Sequence, residues 1–152
     1  MDRFLAVSTF AKVVELGSFA RAAERIGLSP SPCLRRVRAL EHGPLITGYP
    51  ELVDARKLGL TLLALVHIAM DRHTPDRFAN FEKEVARLPE VLECLLITGQ
   101  EADYQLKVIV QDMDAYQALL LNKITRIEGV SGVHSSFVLR TVIDRTALPL
   151  PA

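Results

Sequence analysis

Three patterns predict an α+β chain in two parts, a helical N-terminal module of the helix-turn-helix type followed by a ferredoxin-like βαββαβ sandwich. Residues 18–41 carry two short amphipathic helical repeats separated by a Gly-Leu-Ser turn. Residues 60–143 alternate apolar strand-like runs with helical stripes in the order strand, helix, strand, strand, helix, strand. Between them, residues 50–59 read PELVDARKLG, a polar stretch with Pro, Asp and Gly that suits a connection. The expected division is therefore 1–49 for the helix-turn-helix, 50–59 for the linker and 60–152 for the second domain.

In chain order, residues 2–16 place Phe4, Val7, Phe10, Ala11 and Val14 on a helical stripe that ends at Gly17. This helix is expected to back the pair that follows. Phe19, Ala22, Ala23 and Ile26 fall at i, i+3, i+4 and i+7, and Gly27 is placed to end that helix as its C′ residue. Ser29 is a good N-cap, and Pro30 is tolerated beside it because the first-turn N–H has no intrahelical partner. Over residues 30–41 the helical period sets Cys33, Leu34, Val37 and Leu40 inward and Arg35, Arg36 and Arg38 outward. His42-Gly43-Pro44 must stop this helix, and residues 45–49 form a short extended piece that is a candidate wing.

In the second part, residues 60–70 are apolar at nearly every position, so both sides of the first strand must be covered. Thr74-Pro75-Asp76 opens a helix whose stripe is Phe78, Phe81, Val85 and Leu88, ended by Pro89. Residues 91–98 and 104–110 form a hairpin around residues 99–103. Asp112 caps a helix with Tyr116, Leu119, Leu120, Ile124 and Ile127 inward, stopped at Gly129, and residues 133–143 form the last strand. Both helices of such a fold cover one face of the sheet. The first strand's apolar character on its other side implies that a second copy of the chain covers that side, making this the dimerisation domain.

Composition bounds the function. About half of the 152 residues are apolar (49%), enough to bury a core. No apolar run of about 18 residues and no cleavable leader are evident, so the expectation is a soluble cytoplasmic protein without a membrane. Cys33 and Cys94 stand apart with no Cys/His cluster, which favours free thiols over a disulfide or zinc. The net charge of zero conceals an asymmetry. Residues 1–48 hold seven Lys or Arg against four acids, and the remainder eleven against fourteen. A basic front suits a module that faces a polyanion.

On that helix, Arg35, Arg36 and Arg38 are candidates for contacting DNA, against the alternative of a solvated basic face. Ser29 and Ser31 stand where hydroxyls can donate to phosphate, although capping is an adequate role for Ser29. His67 sits in an apolar strand and reads as satisfied or interfacial, and His42, His73 and His134 are too scattered for a metal site. No nucleophile with its base, P-loop or dinucleotide turn is present, so an enzyme is not expected.

Residues 28–41, LSPSPCLRRVRALE, followed by Ile46-Thr47-Gly48-Tyr49 and Asp54-Ala55-Arg56-Lys57-Leu58-Gly59, resemble the leucine-responsive and asparagine regulator (Lrp/AsnC) family of bacterial transcription factors. The likeness continues through Phe81, Glu93-Cys94, Thr98-Gly99, Asp103-Tyr104, Ala115-Tyr116, Gly132-Val133, Ser135-Ser136-Phe137 and Thr146-Ala147-Leu148-Pro149-Leu150, covering about residues 28–151. Residues 1–29 look instead like the opening of a LysR-type regulator, through Phe10, Val14, Gly17-Ser18-Phe19, Ala22-Ala23 and Leu28-Ser29.

The Lrp/AsnC resemblance implies a sequence-specific regulator of transcription that binds double-stranded DNA, forms homodimers and often octamers, and responds to an amino acid held between dimers. It needs no cofactor beyond that effector. On this implication the hairpin loop holds the amino acid. Asp103 meets its ammonium group, backbone near Gly99 meets its carboxylate, Gln100 and Glu101 complete the loop, and Ser135 and Ser136 line the same pocket. Residue chemistry alone gives a polar hairpin turn. Two rival readings stand beside this one: a small-molecule-binding module whose hybrid head binds DNA poorly, and an enzyme on a sandwich fold that hosts many activities.

Overall fold

The computed structural model describes residues 3–43, 45, 46, 48, 49, 52–99 and 101–145. It divides into two compact units, Met1–Leu52 and Val53–Ala152.

The first unit is a trio of helices, α1 (Arg3–Leu16), α2 (Phe19–Arg25) and α3 (Pro30–Glu41). Ser18 caps α2, its hydroxyl accepting from the Arg21 N–H at 3.4 Å. Gly27, at φ +68°, closes the same helix. The Leu28 N–H then reaches the Ala23 carbonyl and the Gly27 N–H reaches that of Glu24, a paired closure that turns the chain directly into α3. Ser29 occupies the N-cap position of α3 in extended backbone, yet its side chain makes no capping bond.

The inward face of α1 differs from the expected stripe. Ala6 and Thr9 are buried, with Val13 and Leu16 packed against the cluster of Ala22, Ala23 and Cys33, whereas Phe4 and Val14 are exposed. Apolar residues surround almost the whole of this helix, so the period alone does not choose a side. Close packing does: Ala6, Thr9, Ala22, Ala23 and Cys33 are small, and three helices approach closely through them where a row of phenylalanines would hold them apart. Phe19, expected inside, is half-exposed for the same reason. At the candidate wing, Leu45, Ile46, Gly48 and Tyr49 form no strand, and Thr47 lies outside the described residues. Tyr49 instead donates its hydroxyl to Glu41 at 2.8 Å.

The second unit starts within the expected linker. Asp54 caps a single 3-10 turn at Ala55–Leu58, and Gly59 ends it in the left-handed region, so residues 53–59 group with the sheet domain. Strands β1 (Leu62–Met70), β2 (Val91–Leu96), β3 (Tyr104–Val110) and β4 (Val130–Phe137) form one antiparallel sheet in the order β2-β3-β1-β4. Helices α4 (Pro75–Val85) and α5 (Met113–Asn122), the latter followed by a 3-10 turn at Ile124–Arg126, complete the βαββαβ order of a ferredoxin-like sandwich.

Strand alternation separates two faces. Ala64, Val66, Ile68 and Met70 of β1 and Tyr104, Leu106, Val108 and Val110 of β3 are buried with Phe81 and Val85 of α4 and Tyr116 and Leu119 of α5. Leu63, Leu65, His67 and Ala69 of β1, with Gln105, Lys107 and Ile109 of β3, face the other way and are half-buried. β2 is an edge strand, exposed over most of its length. β4 begins three residues before the expected strand and stops at Phe137, because the Val138 N–H bond to Leu63 is the last that β1 can supply.

The turn into β4 fixes one end of the sheet. Gly129 lies at φ +102°, and a Cβ there would come within 2.9 Å of Met70 Cε and 3.3 Å of Arg77 Cδ. The residue must therefore be glycine. Its carbonyl accepts from the Asp71 N–H at 2.8 Å, and Arg77 spans Asp71 and Glu128. The loop between β1 and α4 is thereby tied to the turn before β4.

Candidate DNA-binding helix and effector loop

On α3, Cys33, Val37 and Leu40 are buried and Leu34 half-buried, so the expected core side is the observed one. The arginines divide. Arg35 and Arg38 are exposed, and exposed Ser31 shares their side of the helix at i, i+4 and i+7. Arg36 is half-buried, and its Nη1 donates to Thr9 Oγ1 on α1 at 3.4 Å. It therefore departs from the expectation that all three arginines face outward. At about 100° per residue Arg36 lies only about 60° from Cys33, on the flank of the core face, whereas Arg35 and Arg38 lie opposite. Thr9, almost wholly buried, directs its own hydroxyl to the Leu5 carbonyl at 2.7 Å. Sequence reading missed this polar seam because Thr9 stands within an otherwise apolar run. The outward stripe is thus Ser31, Arg35 and Arg38, with exposed Ser29 at its N-terminal end.

In the second unit, the β2–β3 hairpin is closed by the Ile97 N–H donating to the Asp103 carbonyl at 2.8 Å, while the Asp103 N–H donates to Ile68 of β1 at 2.8 Å. The Asp103 side chain is one-fifth exposed (21%) and both its oxygens are engaged. Oδ2 accepts from the Met70 N–H at 2.7 Å, where the β1–β4 register slips. Oδ1 lies 2.8 Å from His73 Nε2. Neither partner was evident from sequence, since both lie more than 25 residues away along the chain. Gly99 and Glu101 are exposed at the loop tip, and Gln100 lies outside the described residues.

The two serines do not act together. Ser135 pairs with Val66 on the helix-covered face, and its hydroxyl shares a short hydrogen bond with Tyr116 of α5. Ser136, opposite Leu65, points to the other face. With β1 between β4 and β3, Ser135 also stands two strands from the Asp103 loop and is committed to packing. The common pocket expected for both serines and the loop is therefore not formed within one chain. This is a direct consequence of the two-residue period of a strand.

Behind the loop lies an aromatic group. Tyr104 packs against Phe81 with ring centroids 4.6 Å apart and meets Phe78 edge-on at 5.7 Å. Its hydroxyl donates to Glu82 Oε1 at 2.8 Å. Burial, and then the Glu82 carboxylate, push the Tyr104 phenol well above its ordinary pKa. A cavity of about 430 Å³ opens beside it between α4 and the β2 edge, lined by Val85, Leu92, Cys94 and Leu96 with Glu82 and Glu93 at its polar side. On the other face of the sheet, His67 contacts Gln105 at 3.2 Å and neighbours His134 across the strands. Among the described residues no cluster of three metal-ligating side chains occurs, and no helix is long and apolar enough to cross a membrane.

An outward basic stripe on the second helix of a helix-turn-helix, carried in one chain with a ferredoxin-like domain, defines a DNA-binding transcriptional regulator. Comparison with known proteins narrows this. Residues 63–148 match the Lrp/AsnC ligand binding domain, and residues 4–43 match the bacterial regulatory helix-turn-helix protein family of LysR type. The chain is 41% identical over 133 residues to the Bkd operon transcriptional regulator of Pseudomonas aeruginosa, covering 88% of this chain and 86% of that protein. It is 42% identical over 120 residues to the leucine-responsive regulatory protein of Escherichia coli K12, covering 79% and 73% of the two chains. Among solved structures, a Neisseria meningitidis transcriptional regulator in complex with L-methionine is similar at TM-score 0.84 and 31% identity, covering 98% of this chain and 96% of that one. An AsnC family regulator from Agrobacterium tumefaciens is similar at TM-score 0.84 and 30% identity, covering 98% and 97%. The chain belongs to the Lrp/AsnC family of transcriptional regulators.

Proposed function

We propose that this regulator binds double-stranded DNA through Ser31, Arg35 and Arg38 of α3, works in the cytoplasm as a homodimer or larger assembly, and takes an amino acid at the loop of Gly99, Gln100, Glu101 and Asp103. The observation that carries the DNA reading is the outward stripe of α3: two exposed guanidiniums and a hydroxyl on one helix side, with the opposite side built into the core. Arg36 supports that surface from its flank. A second copy covers the sheet face of Leu63, Leu65 and Ile109, an apolar surface that the helices leave open. For the effector, Asp103 supplies a carboxylate for an ammonium group. Gly99 supplies backbone that a carboxylate can approach, since the nearest atom to a Cβ built there is the Ala102 carbonyl at 4.0 Å. The relatives support an amino acid as the ligand class, being named for leucine responsiveness or solved with L-methionine.

The test is enrichment of genomic fragments on the full-length protein, read with and without each amino acid. A defined set of fragments, shifted by one or a few amino acids, is expected. Absence of any enriched fragment would leave only the ligand-binding role. Asp103→Asn keeps an acceptor for the Met70 N–H while removing the charge, so the fold should persist. Effector affinity should fall roughly tenfold to hundredfold, as expected when one charge-assisted hydrogen bond is removed. Calorimetry that shows equal affinity for wild type and variant would remove Asp103 from the site.

A further inference from the structure

His73 stands in the short loop between β1 and α4, immediately before Thr74, the N-cap residue of α4. Its ring lies over Phe78, with centroids 5.9 Å apart and planes inclined at 47°, and its Nε2 meets Asp103 Oδ1 at 2.8 Å. The two oxygens of Asp103 therefore differ in kind. Oδ2 is bound by the Met70 backbone, part of the sheet's own framework. Oδ1 is bound by a side chain that is itself largely exposed, 69% against 21% for the aspartate.

We propose that His73 is a displaceable internal ligand of Asp103, an N–H donor occupying the place that the ammonium group of an amino-acid effector takes over. The inference rests on the reading of Asp103 as the ammonium partner. An α-ammonium group is a permanent cation near neutral pH and forms a charge-assisted bond to Oδ1. The imidazole offers a single N–H from a largely exposed side chain, the weaker of the two bonds. The exchange favours the effector, but only by the difference between the two bonds, so His73 sets the concentration at which the site fills. The Met70 bond to Oδ2 is untouched by the exchange, and Asp103 keeps its orientation throughout. Displacement frees His73 from the hairpin. The loop that carries it stays anchored by the Asp71 N–H on the Gly129 carbonyl and by Arg77 on Asp71. The response is confined to the imidazole and to the Phe78 ring beneath it.

The experiment is calorimetry of the full-length protein with each of the twenty amino acids, on wild type, His73→Ala and Asp103→Asn, joined to the imidazole nitrogen resonances of His73. Removing an exposed competitor of this kind should tighten binding roughly twofold to fivefold. Asp103→Asn should bind far more weakly. In wild type the His73 resonance should move from a hydrogen-bonded to a free position as the site fills. Unchanged or weaker binding by His73→Ala, or a His73 resonance that stays put at saturation, overturns the proposal. If Asp103→Asn still loses affinity in that case, the effector site itself stands. No binding of any amino acid by any of the three proteins overturns the displacement and the effector site together.

Discussion

Replacing Arg35 and Arg38 together by alanine is expected to weaken DNA binding at least tenfold while leaving the head folded. Both guanidiniums are exposed and neither contributes to the core of Cys33, Val37 and Leu40, so their removal costs the unit little. An arginine that neutralises a phosphate contributes about one unit to the salt dependence of log affinity, so its removal should lower that slope by about one. An arginine that reads a base instead supplies about 1–3 kcal/mol of discrimination, and its removal should relax sequence preference. Titrations at several salt concentrations separate the two. Arg36→Ala should behave differently, because that guanidinium leans on Thr9 and covers the flank of α3. Its effect should appear as a lower thermal midpoint, from the loss of about 1 kcal/mol, with a smaller change in salt slope. Unaltered affinity in the double variant, with helical content intact, would move the DNA surface away from this stripe.

The sheet face offers the second large effect. Leu65 on β1 lies opposite Lys107 of β3 and Ser136 of β4, at the middle of the side that the helices leave open. Leu65→Glu places a carboxylate directly across from a lysine, a favourable cross-strand pair, so each chain should fold normally. A symmetric interface meets the substitution twice, since the same patch serves both copies. In the interface, though, this pair must give up its water where a leucine side chain was buried before, at a cost of several kcal/mol per ion, enough to turn a micromolar-stable dimer into monomers. Light scattering on wild type and variant provides the measurement. Equal masses would show that the copies meet through another surface.

Much of this architecture was legible because local chemistry and global fold agree. Gly27 and Pro30 mark the helix-turn-helix junction by their backbone preferences alone, and both stand where those preferences require. The second domain was legible from its order of apolar runs and helical stripes, while the alternation of buried and half-buried positions along β1 and β3 appears only in the fold. Where several arrangements satisfy the same pattern, only packing decides. The apolar girdle of α1 could have turned several ways, and residues 138–143 continue an apolar run after the partner strand has ended. The candidate sites were harder for a related reason. Arg36 differs from Arg35 and Arg38 in its place on the flank of α3 and in the Thr9 hydroxyl that α1 sets beside it. Likewise, the partners of Asp103 come from β1 and from the loop after it. Ser135 and Ser136 are adjacent in the chain and yet on opposite sides of a sheet.

The position of Tyr104 gives the protein a built-in optical report on its own opening. The chain holds no tryptophan and three tyrosines, of which Tyr104 and Tyr116 are buried in the second unit and Tyr49 is exposed in the first. A phenol whose pKa is raised by folding stabilises the folded state fully below the unfolded pKa and loses that contribution as pH rises through the folded one. In the unfolded chain Tyr104 gives up its proton near pH ~10. In the folded chain, burial beneath Phe78 and Phe81 and the hydrogen bond to Glu82 hold the proton on. Alkaline titration should therefore develop the Tyr104 phenolate in step with the loss of far-ultraviolet dichroism. Tyr49, raised chiefly by its hydrogen bond to Glu41 but open to solvent, should ionise reversibly without any unfolding. One spectrum then carries two clocks: a fast one on the head, and a slow one that runs only when the sheet comes apart.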